Sequence, residues 1–174
     1  MKKNNSKNYA KTLFQLSVES QETDKICGSL KMLEPLYDKE ITDFFSNPFV
    51  DENTKFNLIK DTFPAMPEIM YDFFSLLIKK NEMKILPEIM KKYSKLVLDF
   101  KNIVEAKVIS VEKIEKSSLS EIRKILGKFT GKNIVFEESI DKSLLGGIKI
   151  ETDNLVIDGT IKGKFESIGR EFLK

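Results

Sequence analysis

Apolar residues recur at helical spacing through the first hundred residues of the chain. Five amphipathic stretches can be recognised, and in each one the apolar side chains fall on one helical face. The faces are Tyr9, Leu13 and Leu16; Ile26, Leu30, Leu33 and Tyr37; Phe56, Ile59 and Phe63; Ile69, Phe73 and Leu76; and Ile89, Tyr93, Leu96 and Phe100. Short polar or proline-containing breaks separate the stretches. The pattern therefore predicts helices that pack against their neighbours as a bundle.

Pro35 is unusual among the five prolines because it falls inside a predicted helix, the second one. The other four lie in breaks, where proline suits a first helical turn. Proline offers no amide donor and its ring collides with the preceding turn, so we expect the second helix to be kinked or divided at this point.

The pattern changes near Asn102 from purely helical to mixed. Residues 104–108 alternate between apolar and charged side chains, which is the period of a half-buried strand. A helix follows, for which Ser118 and Glu121 have the spacing of a capping box, and Gly131 ends it. The predicted core face of this helix consists of Leu119, Ile122, Leu126 and Phe129.

The final part of the chain predicts a second strand, a hairpin and a last helix. Residues 133–137 form the strand, and residues 147–151 and 155–157 flank Asp153-Asn154 as a two-residue turn. The last helix opens after residues 158–160. Its face consists of Ile161, Phe165, Ile168 and Phe172. This face either packs on the sheet or contacts a partner, and packing is the preferred interpretation.

Together these elements predict an α+β protein. Residues 1–103 form an all-α helical bundle of five to six helices. Residues 104–174 form a small α/β domain with a β-hairpin and a terminal helix.

Composition excludes several classes of site. The 174 residues include no histidine and a single cysteine, Cys27. The chain therefore lacks the ligands for a Cys/His zinc site, the base of a Ser-His-Asp or Cys-His group, and the partner for an internal disulfide. A lone thiol fits a reducing compartment.

Charge and hydropathy make nucleic acid and a lipid bilayer poor candidates for direct partners. The 29 basic and 27 acidic residues leave a net charge of +2 without a strongly basic half. Apolar runs such as residues 76–78 are far shorter than the roughly 20 residues that a spanning helix needs. We expect no direct membrane insertion, and any membrane association to pass through a partner.

Four segments resemble parts of catalytic or cofactor sites, and none fits. Residues 127–133 carry glycines at the wrong spacing for a phosphate-binding loop and lead from helix to strand, so Gly131 is better explained as a helix end. Gly146-Gly147 has no third glycine and no following helix. The carboxylates near residues 137–141 and 153–158 lie among lysines in turn-like sequence. We predict no catalytic residue, no metal site and no cofactor.

The helices are apolar over more than one stripe. The chain contains 13 phenylalanines, and the first and fourth predicted helices carry extra apolar positions beside their core faces. Such surplus surface can be buried against a partner helix in a groove.

Several segments resemble one known family over essentially the whole chain. They are residues 9–14 (YAKTLF), 44–48 (FFSNP) with Lys55 following, 73–81 (FFSLLIKKN), and above all 141–147 (DKSLLGG) through 156–164 (VIDGTIKGK). In order and length they are similar to the delta subunit of bacterial F-type ATP synthase, whose mitochondrial equivalent is the oligomycin sensitivity-conferring protein. One departure is Glu82-Met83, where the family often has Gly-Arg.

The resemblance implies a non-catalytic stator subunit. In that family the N-terminal bundle binds the N-terminal segments of the alpha subunits, and the C-terminal domain meets the b subunits of the peripheral stalk. One copy per complex holds the catalytic head against the torque of the rotor. The expected location is peripheral, on the cytoplasmic face of the bacterial inner membrane, through the complex.

The resemblance also suggests site residues. It places the alpha-binding groove between the first and the penultimate helix of the bundle, for which the candidates are Tyr9, Ala10, Leu13, Phe14, Phe73, Leu76 and Leu77. We interpret a second set as architecture, forming turns, a strand entry and a helix cap: Asp141, Gly146, Gly147, Asp158 and Gly159. The alternative function is a free-standing helical adaptor for another amphipathic helix, which would not require the motif between residues 141 and 164.

Overall fold

The computed structural model describes residues 2–172, with side chains described for residues 5–166. The chain divides into two compact units between Val97 and Leu98, slightly before the boundary expected at residue 103.

The N-terminal unit is helical throughout. Among the described residues, six α-helices are found, at the upper end of the predicted five to six. They are α1 (Lys2–Glu19), α2 (Thr23–Leu33), α3 (Lys39–Ser46), α4 (Glu52–Thr62), α5 (Glu68–Lys79) and α6 (Leu86–Phe100), with 3₁₀ turns at Glu34–Leu36 and Met83–Ile85.

The core of this unit draws side chains from all six helices, as the helical periodicity predicts. Tyr93 of α6 is fully buried, and Phe14 of α1 packs edge-to-face on its ring with centroids 6.2 Å apart. The most deeply buried apolar residues include Ala10, Leu13, Ile26, Leu30, Met70, Phe74, Leu77, Leu86 and Ile89.

Pro35 divides the predicted second helix. The α-helix ends at Leu33, and Pro35 lies in the 3₁₀ turn that follows, so Tyr37 is not part of the α2 face. Its hydroxyl donates instead to the Met83 carbonyl at 2.5 Å. The five predicted faces also omit α3, which is only eight residues long and therefore carries too little periodic pattern.

Side-chain hydrogen bonds fix the starts of α3 and α4 and the end of α3. Asp38 and Asp51 cap the two helices, accepting hydrogen bonds from the Ile41 and Thr54 amides. The buried Lys55 donates to the Asn47 carbonyl at 2.8 Å, just beyond the end of α3. A cation at this end of a helix satisfies a carbonyl that has no helical partner.

The C-terminal unit is a four-stranded mixed sheet with helices, which confirms the α+β class. Its elements are β1 (Ile103–Ser110), α7 (Lys116–Thr130), β2 (Asn133–Ile140), β3 (Ile148–Glu151), β4 (Val156–Asp158) and α8 (Ile161–Phe172). The strand order is β2-β1-β3-β4. The pair β1/β2 is parallel and connected through α7, whereas β1/β3 and β3/β4 are antiparallel.

The register places one small apolar core between α7 and one face of the sheet. Val108 lies opposite Ile150, and Ile150 lies opposite Ile157, so these three side chains share a face. Leu126 of α7 packs on that face. The buried members of this core are Ala106, Val108, Leu126, Ile134 and Ile150. The hairpin turn at Asp153-Asn154 forms as predicted, closed by the Thr152 amide donating to the Leu155 carbonyl.

The capping box predicted at Ser118 and Glu121 is wrong. The helix begins three residues earlier, after Glu115, whose backbone is extended, and no side chain caps it. Ile114 packs into the core just before this point and fixes where the chain turns into the helix.

The core face predicted for α7 is confirmed for Ile122 and Leu126, whereas Leu119 is not among the residues of the small core and Phe129 is 75% exposed. Ten residues along an α-helix rotate a side chain about 80° away from the starting position, so Phe129 lies beside the stripe that contains Leu119.

The predicted packing of the last helix, α8, on the sheet is wrong for Phe165, which is 69% exposed. Ile161 is also exposed, at 41%, and the other two members of that face, Ile168 and Phe172, lie outside the residues whose side chains are described.

Candidate functional site

The first candidate surface lies where α1 meets α5. The ring of Tyr9 on α1 packs edge-to-face on Phe73 of α5, with centroids 6.1 Å apart. The ammonium group of Lys80 lies 5.9 Å from the centre of the same tyrosine ring, a cation–π arrangement. Tyr9 is only half-buried, so part of this aromatic contact is open to solvent.

A carboxylate between α5 and α6 fixes the position of Tyr9. Its hydroxyl donates to Glu82 Oε2 at 2.5 Å, and Asn5 Nδ2 donates to Glu82 Oε1 at 2.8 Å. Burial, together with this hydrogen bond, raises the pKa of Tyr9 to about 12. The bonds from Tyr9 and Asn5 lower the pKa of Glu82, so the pair consists of a neutral phenol and a carboxylate at neutral pH.

Two exposed leucines lie further along the two helices that form this contact. Leu76 follows Phe73 by one turn of α5 and is 40% exposed. Leu16 follows Tyr9 by about two turns on the same side of α1 and is also partly exposed. We call Tyr9, Leu16, Phe73 and Leu76 the α1–α5 surface.

The seven residues suggested by the sequence separate into core and surface. Ala10, Leu13 and Leu77 are fully buried or nearly so, and they stabilise the bundle from inside. Phe73 is mostly buried at the base of the surface, and Phe14 is half-buried against Tyr93. Only Tyr9 and Leu76 therefore combine a place on this surface with substantial exposure.

Sequence reasoning missed Glu82 as part of this site. The residue is 73 positions from its partner Tyr9, and nothing local connects them. The only signal was its place in the segment that departs from the family pattern.

In the C-terminal unit, the glycine pair forms a close approach between two backbone segments. Gly146 and Gly147 have φ angles of 147° and 88°, in the region that favours glycine. A Cβ atom on Gly147 would lie 2.4 Å from the Gly159 carbonyl oxygen. Next to this close approach, the Gly159 amide donates to the Ile148 carbonyl at the start of β3. Gly146 and Gly147 therefore form the entry of β3.

Asp158 and Asp141 organise the turns on either side of the β3–β4 hairpin. Asp158 Oδ1 accepts from the Thr160 amide and hydroxyl, and the Thr160 hydroxyl accepts from the Gly163 amide in the first turn of α8. Asp141 Oδ1 accepts in the same way from Ser143. These bonds lower the pKa of both carboxyl groups. Each aspartate therefore stabilises a turn by accepting hydrogen bonds from the residue two positions later.

A second candidate surface lies on one flank of α7. Leu126 points to the sheet, and Arg123 lies to one side of it with its guanidinium 5.4 Å from the Phe136 ring centre on β2. Ile125 and Phe129 lie to the other side, away from β2, and both are largely exposed. Ile157, on the same face of the sheet at its far edge, is also exposed. We call Ile125, Phe129 and Ile157 the α7 flank.

The segments considered for catalysis and cofactors fold as ordinary structure. Gly131 is the left-handed residue that ends α7, and its amide donates to the Gly127 carbonyl. Among the described residues, no group of three or more acidic or cysteine side chains has the arrangement of a metal site. Within the same part of the chain, no helix has both the length and the apolar character needed to cross a membrane. What the arrangement provides is two partly apolar surfaces, one on α1 and α5 and the other on α7 and β4.

Comparison with known proteins identifies one family. The sequence profile of the family described as "ATP synthase delta (OSCP) subunit" matches residues 6–172. ATP synthase subunit delta of Clostridium beijerinckii is 31% identical over 171 residues, which cover 97% of this chain and 96% of that protein. The corresponding protein of Bacillus mycoides is 28% identical over 172 residues, with the same coverage.

The fold is also found in a solved complex. A chain in the cryo-EM structure of the Toxoplasma gondii mitochondrial ATP synthase hexamer superposes with a TM-score of 0.73 at 12% identity. The superposition covers 97% of both chains. At this identity the likeness supports the fold alone.

Proposed function

The chain belongs to the ATP synthase delta (OSCP) subunit family, and we propose that it is the non-catalytic stator subunit that connects the peripheral stalk to the catalytic head. Members of this family are subunits of the synthase complex and not its catalytic subunit. In this role the chain holds the head still, so that rotor torque drives proton-coupled ATP synthesis.

The observation that carries this proposal is the partly exposed α1–α5 surface. Its aromatic contact between Tyr9 and Phe73 is held in place by Glu82, and Leu76 beside it is left open to solvent. A rigid apolar surface of this kind suits the burial of the apolar stripe of an amphipathic helix. We assign it to the N-terminal segment of an alpha subunit.

The predicted groove must be restricted to residues that a partner can reach. Ala10, Leu13 and Leu77 are buried in the bundle core, so their contribution is to shape the surface from behind. Direct contact then falls to Tyr9, Leu16, Leu76 and the accessible edge of Phe73. A joint under torque needs slow dissociation, which packed apolar and aromatic anchors provide.

The head contact is tested by calorimetric titration with a peptide that reproduces the N-terminus of the same organism's alpha protein. We expect one-to-one binding with a negative heat-capacity change, strongly weakened by Leu76→Asp. Leu58→Asp is the matched control, because Leu58 has the same 40% exposure but lies on α4. Equal affinity of both variants for the peptide would show that the α1–α5 surface is not the binding site. A folded native chain that binds no peptide would contradict the proposed contact with the head.

For the stalk contact we propose the α7 flank together with exposed apolar residues of α8. Ile125, Phe129 and Ile157 leave apolar surface open beside the small core, and Phe165 of α8 is similarly exposed. The occupant we propose is the C-terminal end of the b subunits. Phe129→Asp should weaken binding of a fragment containing that C-terminal end, whereas Phe49→Asp, at an even more exposed phenylalanine in the other unit, should not. The reverse order would contradict this assignment.

The stator role carries further expectations. One copy of the chain is expected per complex, peripheral to the membrane on the cytoplasmic face of the bacterial inner membrane. Attachment there depends on the other subunits, with no insertion of this chain. Quantitative mass spectrometry of the purified synthase tests the single copy directly.

A further inference from the structure

An open basic depression lies along α7, on the side of the helix opposite the α7 flank. It has a volume of about 440 Å³ and is formed at the end of α7 and the start of β2. Four of its lining residues are cationic: Arg123, Lys124, Lys128 and Lys132. Positions 123, 124, 127 and 128 share one helical face, so the cations surround position 127.

Glycine at position 127 is what leaves the depression open. The residue lies inside α7, where glycine destabilises a helix relative to alanine. Packing does not require it, because an added Cβ atom would meet only the Lys132 carbonyl oxygen, at an ordinary 3.6 Å. A glycine that costs helix stability without a packing reason points to a use for the space above it.

The cations around this space are largely uncompensated. Lys132 pairs with Asp99 at 2.8 Å. Within the described part of the chain, Arg123, Lys124 and Lys128 form no ion pair with a carboxylate, and Arg123 is held by the face of Phe136. Three neighbouring cations that form no ion pair repel one another, most strongly at low ionic strength, and favour an anionic ligand.

The shape of the site distinguishes between kinds of anion. The nearby amides of Gly131, Lys132 and Asn133 are already bonded within the protein, so no set of free amides converges on a single phosphate. Lys124 and Lys128 are one helical turn apart, about 6 Å along the axis, which gives a row of charges. Such a row matches carboxylates repeated at a similar spacing.

We propose that the Gly127 depression is a binding site for an acidic polypeptide segment whose carboxylates pair with Lys124 and Lys128. Arg123 and Lys132 border the site at β2, and Asp99 keeps Lys132 in place. This site is separate from the proposed head and stalk contacts, so it can fail while they stand.

The test uses the full chain and a fluorescein-labelled, alanine-based helical peptide with glutamate at every fourth position, followed by fluorescence anisotropy. A peptide with glutamine at those positions is the ligand control. At low ionic strength we expect the glutamate peptide to bind and the glutamine peptide not to. The affinity should fall steeply when salt reduces the screening length to about 8 Å.

Two variants locate the site. Lys124→Gln with Lys128→Gln should weaken glutamate-peptide binding about tenfold. The control, Lys113→Gln with Lys116→Gln, removes the same charge from exposed lysines elsewhere in the same unit and should leave binding nearly unchanged. Equal loss in both double variants would mean attraction by net charge only and would overturn the site.

Gly127→Gln tests the depression itself. Glutamine favours helix, so this variant should be at least as stable to urea as the native chain while its long side chain occupies the space. Peptide binding should fall at least fivefold. Undiminished peptide binding by this stable variant would overturn the proposal. So would binding of the native chain to anionic lipid vesicles or single-stranded RNA at concentrations where the glutamate peptide does not bind.

Discussion

The Tyr9 hydroxyl and Glu82 Oε2 form a 2.5 Å hydrogen bond that joins the first helix to the connection between the fifth and sixth. Asn5 occupies the other oxygen of the same carboxylate. Through these two contacts the start of α1 is fixed against the segment that follows α5. The exposed edge of the Tyr9–Phe73 contact is therefore already ordered in the free protein. A docking partner does not have to supply the free energy of ordering it.

Replacing Glu82 by alanine should lower the stability of the bundle. The substitution leaves the Tyr9 hydroxyl without its charged acceptor, and we expect the free energy of unfolding to fall by about 1–2 kcal/mol. Urea denaturation followed by circular dichroism measures the change. Glu19→Ala, at an exposed glutamate of α1, is the control and should change stability by less than about 0.5 kcal/mol.

The same pair predicts a pH dependence. Hydrogen bonds to the carboxylate hold the pKa of Glu82 below its usual 4.5 in the folded protein. A lowered folded pKa contributes stability above the unfolded value, and this contribution is lost as pH falls through the folded pKa. The stability difference between the native chain and Glu82→Ala should therefore shrink as the pH falls from about 5 towards 3. A difference that stays constant over this range would show that the charge of Glu82 is unimportant.

Leu13 and Leu76 should respond in opposite ways to aspartate. Leu13 is 2% exposed in the bundle core, and a carboxylate there has no partner, so Leu13→Asp should unfold most of the N-terminal unit. Leu76→Asp places its charge at a side chain that already reaches water, and the helical content should be retained. Far-ultraviolet circular dichroism compares the two. Retained structure in both variants would mean that the α1 face is not core as described.

The buried Lys55 should contribute to stability through its bond to the end of α3. Lys55→Ala removes the donor to the Asn47 carbonyl and the packing of the lysine stem, and should cost about 2 kcal/mol. Lys60→Ala, on the exposed side of the same helix, provides the comparison and should have an effect near zero. Similar losses at both positions would indicate a general effect of charge.

Gly147→Ala should destabilise the C-terminal unit by about 2–4 kcal/mol, since its Cβ atom would collide with the Gly159 carbonyl and its φ angle is unfavourable for alanine. Gly28→Ala is the contrasting variant. It lies within α2 with nothing within 4 Å of the added Cβ atom, so it should stabilise the N-terminal unit slightly. Thermal unfolding of both variants gives the comparison.

Period and turn chemistry explain why so much of the fold could be predicted. The apolar spacing identified the long helices, and the alternation at Val104, Ala106 and Val108 identified β1 together with its buried face. Pro35 and Gly131 acted through fixed local geometry, so their effects on helix ends could be foreseen. The short helix α3 escaped because eight residues hold barely two turns of pattern.

What could not be predicted depends on contacts between distant residues. Ala10 and Leu76 both fit an apolar helix face, yet one is buried and the other is 40% exposed, because neighbouring helices decide which side is covered. The Tyr9–Glu82 bond is likewise a tertiary contact. Phe129 looked like core by spacing alone, and its exposure follows from how α7 lies on a small sheet.

A bridging experiment asks whether this chain connects the stalk to the head. The catalytic head and the soluble part of the b subunits of the same organism are mixed with and without the purified chain and sedimented together. We expect the b fragment to sediment with the head only when the chain is present, and Leu76→Asp or Phe129→Asp to reduce the recovery. Equal recovery of the b fragment in the absence of the chain, or none in its presence, would contradict the stator role.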